Sequence, residues 1–302
     1  MKKVNIFLWL AFASIYINAQ ETIVHGDFTI RDFFVDNEAI FYIEKRDIKY
    51  LNTADKNKEF ETYFIGGYGL EIFNNFTEII SISNEFEQNV SSLRFYNKKS
   101  KTVEEVFYYK KGKAITALQI PESNCMVISM NDNNIIIIDY SKKPVFKEVH
   151  KIQVKSLARA IYYHNKTLFY ATDFGSVFKY NFVTKKSELI YSCEEKITTL
   201  NFYNDDIIFT TMQGNIFIYN NIQGVAKKIN IKNNFVLNTI INDDQLLCGT
   251  FNGAIIVVNL KSRQIQKQLN YHNRSVLSIV KGRGNQFYSS SIDRTLKKWK
   301  LN

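Results

Sequence analysis

Along most of the chain, apolar and polar residues alternate in short runs closed by Asn, Asp or Gly, the pattern of half-buried β-strands joined by tight turns. Residues 197–203 (I-T-T-L-N-F-Y), the turn Asn204-Asp205-Asp206, 207–212, the turn Gln213-Gly214, 215–220 and 225–231 give four such runs in succession. The same order of four fits 236–270, 156–193 and 115–152. The third run of each set has a common shape: 46–52 (R-D-I-K-Y-L-N), 91–97 (S-S-L-R-F-Y-N), 133–139 (N-N-I-I-I-I-D), 175–181 (G-S-V-F-K-Y-N), 214–220 (G-N-I-F-I-Y-N), 253–259 (G-A-I-I-V-V-N) and 294–300 (R-T-L-K-K-W-K). The closing residues fall at 52, 97, 139, 181, 220, 259 and 300, so the successive gaps are 45, 42, 42, 39, 39 and 41. A near-constant period of about 40 residues is the length of one four-stranded propeller blade.

Seven periods therefore predict an all-β chain: a seven-bladed β-propeller of four-stranded antiparallel blades, forming one domain over residues 20–302. The last period stops just after its third strand, while 21–25 (E-T-I-V-H) stand alone before the first full blade. The expected solution is closure of the ring, with this N-terminal strand completing the last blade as its outer edge. The acids at Asn204-Asp205-Asp206 and Asn242-Asp243-Asp244 recur at one register, as does Asp36-Asn37, and are read as turn chemistry.

Residues 289–300 (S-S-S-I-D-R-T-L-K-K-W-K) resemble the strand–turn–strand signature of WD-repeat propellers, and 272–276 (H-N-R-S-V) resemble their histidine loop. The resemblance implies a hydrogen-bonded set within the last blade formed by His272, Asp293, Ser289 or Ser291, and Trp299. Elsewhere the motif is diluted. Only Asp132 and Asp293 keep the acid, with Phe174, Gln213 and Asn252 in its place, and Tyr180, Tyr219, Val258 and Ile138 stand where the Trp would be.

Composition agrees with a strand-rich chain, since 18 Tyr and 24 Phe stand against 2 Pro. Residues 1–19 differ from the rest. Lys2 and Lys3 precede an apolar run that ends at Ala19, which reads as a signal peptide and predicts an exported chain, periplasmic or secreted. Cys125, Cys193 and Cys248 are odd in number and read as small apolar packers.

Candidate chemistry is sparse. None of His25, His150, His164 and His272 belongs to a metal motif, and C-x-x-C, the phosphate loop and the G-x-S-x-G elbow do not occur. The expectation is a protein with no catalytic residues, no metal and no cofactor. Two loop faces then remain as binding surfaces. One carries Arg46, Tyr68, Phe86, Phe174, Phe251, Tyr271, Arg274 and Arg294, the aromatic and Arg types that dominate binding hot spots, and predicts a protein partner. The other carries a basic rim of Lys56, Lys58, Lys98, Lys99, Lys101, Lys142, Lys143, Lys185, Lys186, Lys261 and Arg263. With a net charge of +10, that rim offers an alternative, adhesion to an anionic glycan or lipid surface. A hydrolase or lyase site at the channel mouth is the remaining alternative. Nucleic acid is not expected, because no base-stacking aromatics interleave the lysines, and the protein is expected to be a monomer on its own.

Overall fold

A computed structural model describes residues 20–37, 39–54, 60–64, 67–232 and 234–301, so the signal peptide expected over 1–19 lies outside the described residues. The described residues form seven four-stranded sheets in which every neighbouring pair of strands is antiparallel. Six blades follow chain order: 30–64, 68–109, 114–153, 158–192, 197–230 and 236–270. The seventh takes three strands from the C-terminus, Val276–Lys281, Gln286–Ser291 and Thr295–Lys300, and its fourth from the N-terminus, Gln20–His25. Inner strands of successive blades lie side by side, and the last touches the first, so the sheets close into a ring.

The alternation seen in the sequence is what builds this ring. In blade 6, Leu246, Cys248, Ile256 and Val258 point back to blade 5, whereas Leu247, Ile255 and Val257 point forward to blade 7. Blade 3 divides in the same way, with Met126, Ile128, Ile136 and Ile138 on one side and Val127, Ile135 and Ile137 on the other. Successive side chains of a strand face opposite ways, so each blade feeds two different interfaces. The apolar clusters accordingly sit one in each gap between neighbouring blades. The gap at the seam holds Val24 of the closing strand with Ile30, Phe33, Tyr42, Leu51, Tyr288 and Leu296.

Turn chemistry explains the junctions. Asn37, Asn165, Asn204 and Asp243, in the turns between first and second strands, take left-handed φ values of 56°, 47°, 54° and 51°, a conformation that Asn and Asp tolerate better than most residues. Gly253 requires its own freedom. Its φ is +93°, and a Cβ there would come within 2.3 Å of the His272 carbonyl in the next blade.

Each inner strand also carries one extra residue near its start, a β-bulge repeated in every blade. The bulge turns a pair of side chains toward the central channel and frees backbone groups there for partners from the neighbouring blade.

The closing strand is paired along its length, from Gln20 opposite Trp299 to His25 opposite Thr295, and the chain continues the pairing through Gly26 N–H to the Arg294 carbonyl at 2.7 Å. Removing residues 20–26 is expected to lower the melting temperature of the propeller and promote aggregation, because the seam then exposes a strand edge and an apolar cluster. Calorimetry of the truncated chain checks this, and an unchanged melting temperature would contradict the closure argument.

Candidate functional site

In blade 7 the structure brings together His272, Asp293, Ser289 and Trp299. Trp299, 2% exposed, donates its indole N–H to the Ser289 hydroxyl at 3.1 Å. Ser289 lies 2.8 Å from His272 Nε2, and His272 Nδ1 lies 3.1 Å from the Asp293 carboxylate. The network assigns the ring proton to Nδ1, so the hydroxyl donates to Nε2 and the imidazole donates to the acid. Thr295 joins the set. Its hydroxyl is 2.5 Å from Asp293 and 3.0 Å from His272 Nδ1. Burial works against the charge on Asp293, but the bonds from His272, Thr295 and the Asn273 N–H outweigh it and hold the carboxyl well below the usual range. Ser291 takes a different place, donating to the Arg274 carbonyl and accepting from the Asp293 N–H. These bonds satisfy polar groups inside the blade and fix its turns.

The channel presents a feature that sequence reading missed. Asp32, Glu71, Thr116, Ala160, Thr199, Asn238 and Ser278 occupy one register of the bulge, one from each blade. Where that residue has an acceptor of sufficient length, it reaches across to the next blade's backbone. Asn238 accepts from Ile279 N–H at 3.0 Å, Asp32 from Ile72 N–H at 3.0 Å, and Glu71 from Ala117 N–H at 2.8 Å and the Thr116 hydroxyl at 2.9 Å. Asp32 also accepts from Ser278, so the belt crosses the seam. Two carboxyls thus sit in adjacent blades. Burial, with the neighbouring charge of Asp32, pushes Glu71 up to about 8, while burial raises Asp32 to about 6 against its hydrogen bonds. The signal in the sequence was a polar residue at one repeat position, hidden because its identity changes from blade to blade.

The face named for a protein partner divides into groups. Arg46 lies over the Tyr68 ring at 5.0 Å, Tyr68 meets Phe86 edge-on at 5.4 Å, and Lys113 lies over Phe86 at 4.7 Å. The result is a cation–aromatic ladder across blades 1, 2 and 3. Phe174 stands out with 73% of its surface exposed, and Phe251 stacks on Phe235 beside the channel. Arg274 and Arg294 line a cleft at the seam with Phe28. Tyr271 turns instead onto Trp299, with ring centroids 5.6 Å apart, and packs between blades 6 and 7.

Part of the basic rim is engaged by carboxylates. Lys98 pairs with Asp36 of the preceding blade at 2.8 Å, Lys143 with Glu78 of the preceding blade, and Arg263 with Asp206 of the preceding blade at 3.9 Å. Lys261 pairs with Asp244 of its own blade at 2.5 Å. The acids of the first turns and the lysines of the third turns share this face, which the repeat register dictates. Lys99, Lys101, Lys142, Lys185 and Lys186 are exposed, and Lys56 and Lys58 lie outside the described residues. All three cysteines are free, and burial pushes each thiol up, as suits packing residues.

Trp299→Ala is expected to cost about 3–5 kcal/mol of stability, and Trp299→Phe, which loses the bond to Ser289, about 1 kcal/mol; denaturant titration measures both. For Glu71, a carboxyl whose pKa rises on folding holds its proton more tightly in the folded state, so its contribution falls as pH rises from about 4.5 through 8. Over that window the wild-type melting temperature should drop relative to Glu71→Gln, and parallel curves for the two proteins would refute the assignment.

No protein-family model matches the chain, and no curated protein matches it. Among solved structures, the crystal structure of the computationally designed Ika8 protein superposes with a TM-score of 0.69 at 10% identity, over 93% of this chain and 98% of that one. At that identity the likeness is one of fold alone, and the fold is a β-propeller.

Proposed function

We propose that this chain is an exported, WD-repeat-like propeller that acts without catalysis as a protein-binding platform, through the face bearing Arg46, Tyr68, Phe86, Phe174, Phe251, Arg274 and Arg294. The observation that carries this reading is the ladder from Arg46 to Lys113, whose Phe86 is 55% exposed, with Phe174 and Phe251 of the same face at 73% and 54% exposure. Rings held upright by cations lose little freedom on binding and offer large apolar area to a partner. The WD-repeat likeness rests on the bonded set of His272, Asp293, Ser289 and Trp299, and export rests on the sequence of 1–19.

The other readings draw less support. A rim for anionic surfaces needs free cations, whereas four of its nine described residues, Lys98, Lys143, Lys261 and Arg263, are held by carboxylates. For hydrolase or lyase chemistry, the channel acids Asp32 and Glu71 are engaged by backbone N–H groups, and among the described residues no His or Cys lines the channel.

Affinity capture from the exported fraction tests the proposal with three baits: wild type, the combined variant Arg46→Ala, Tyr68→Ala and Phe86→Ala, and Lys185→Ala with Lys186→Ala on the opposite face. The expected result is a stoichiometric partner held by wild type and the Lys variant, lost from the ladder variant, and little affected by moderate salt. Absence of a partner, or loss only in the Lys variant together with steep salt dependence, would overturn it.

A further inference from the structure

The central channel is a cavity of about 610 Å³, within the range of about 300–1,000 Å³ typical of small-molecule sites. Because every blade contributes the same bulge to its wall, the lining can be read sector by sector. Blades 1 and 2 supply Arg31, Asp32 and Glu71. Blades 4 and 5 supply Arg159 and Lys196, both held by Asp173, the lysine at 3.9 Å. In a closed ring of seven, blades 1 and 2 stand across the channel from blades 4 and 5. Arg31 and Arg159 occupy the same bulge register, so the two sectors face each other at one level.

Their formal charges are complementary. The first sector sets two carboxyls against one guanidinium, and the second sets two cations against one carboxylate, leaving one acid in excess on one wall and one base in excess on the other. Between them the same register is apolar, with Leu70 and Ile115 on one side and Leu237 and Leu277 on the other.

We propose that the channel binds a small apolar zwitterion, a dipeptide, with its ammonium group against Asp32 and Glu71, its carboxylate against Arg159 and Lys196, and its side chains on the Leu and Ile walls. Each charged end meets a group that lacks a full counter-charge and can form a charge-assisted hydrogen bond with it. Arg31 is shared between Asp32 and Glu71 and cannot neutralise both. The other groups facing Glu71 are the neutral Thr116 hydroxyl and Ala117 N–H. With these neighbours Glu71 keeps its proton at neutral pH, and an incoming ammonium displaces that proton. This site is separate from the aromatic face, so the two readings stand or fall independently.

The test uses the full mature chain and three probe pools of dipeptides built from Leu, Ile, Val, Phe and Met: unmodified, N-acetylated and C-amidated. A fourth pool holds the corresponding free amino acids. Thermal shift and calorimetry are expected to show binding of the unmodified dipeptide pool, with proton release between buffers of different ionisation enthalpy at pH 7, and no binding of either blocked pool or of the free amino acids, which are too short to reach both walls. Lys196→Ala touches none of the inter-blade bonds of the belt, still melts cooperatively, and weakens binding about tenfold. Equal binding of blocked and unmodified pools, no binding of any pool at millimolar concentration, or wild-type affinity in Lys196→Ala would overturn the proposal.

Discussion

A period-two strand packed on both faces belongs to two interfaces at once, and this constraint organises the whole molecule. No blade encloses a core of its own. Leu246 and Leu247, neighbours in one strand, are buried against different blades, and the same division holds around the ring. An open row of seven such sheets would leave an apolar face uncovered at either end. Closure removes both ends together, and a strand drawn from the N-terminus into the C-terminal blade adds backbone pairing to side-chain burial. Val24 belongs to the seam cluster as well as to the ladder with Leu296, so the closing strand acts through both.

Polar chemistry follows the same geometry. The bulge at the start of every inner strand exposes an N–H to the neighbouring blade, and Asp32, Glu71 and Asn238 answer it. On the opposite face, lysines and an arginine of the third turns answer the acids of the first turns in the blade before. Exposed ion pairs of this kind contribute little each, yet they occupy some of the cations that would otherwise make that face attractive to anions. On the aromatic face Arg46 pairs with Glu85 of the next blade at 4.0 Å, while Phe86, Phe174 and Phe251 remain directed outward.

Where the sequence was informative, the reason is physical. Turn residues and alternation are local, and a period near 40 residues repeats them often enough to count blades. His272, Asp293, Ser289 and Trp299 were legible through the resemblance of 289–300 and 272–276 to the WD-repeat signature, which implies that these residue types satisfy one another within one blade. Thr295 escaped notice although it lies two residues from Asp293, since a Thr in a strand is unremarkable until its hydroxyl is seen beside the imidazole. The belt in the channel was not legible at all. Its register holds Asp, Glu, Thr, Ala, Thr, Asn and Ser in turn, which is no motif.

By itself, then, the sequence determined the strands, the turns, the number of blades and the need to close them, because these depend on hydrophobic period and backbone preference within about one repeat. Tertiary structure alone decided what meets across blades. It set Asp32 beside Glu71 in the channel, Lys98 against Asp36, Arg46 over Tyr68, and Tyr271 inward onto Trp299. Residues far apart along the chain become neighbours only through the rotation from one blade to the next, and that rotation is set by how the apolar faces pack.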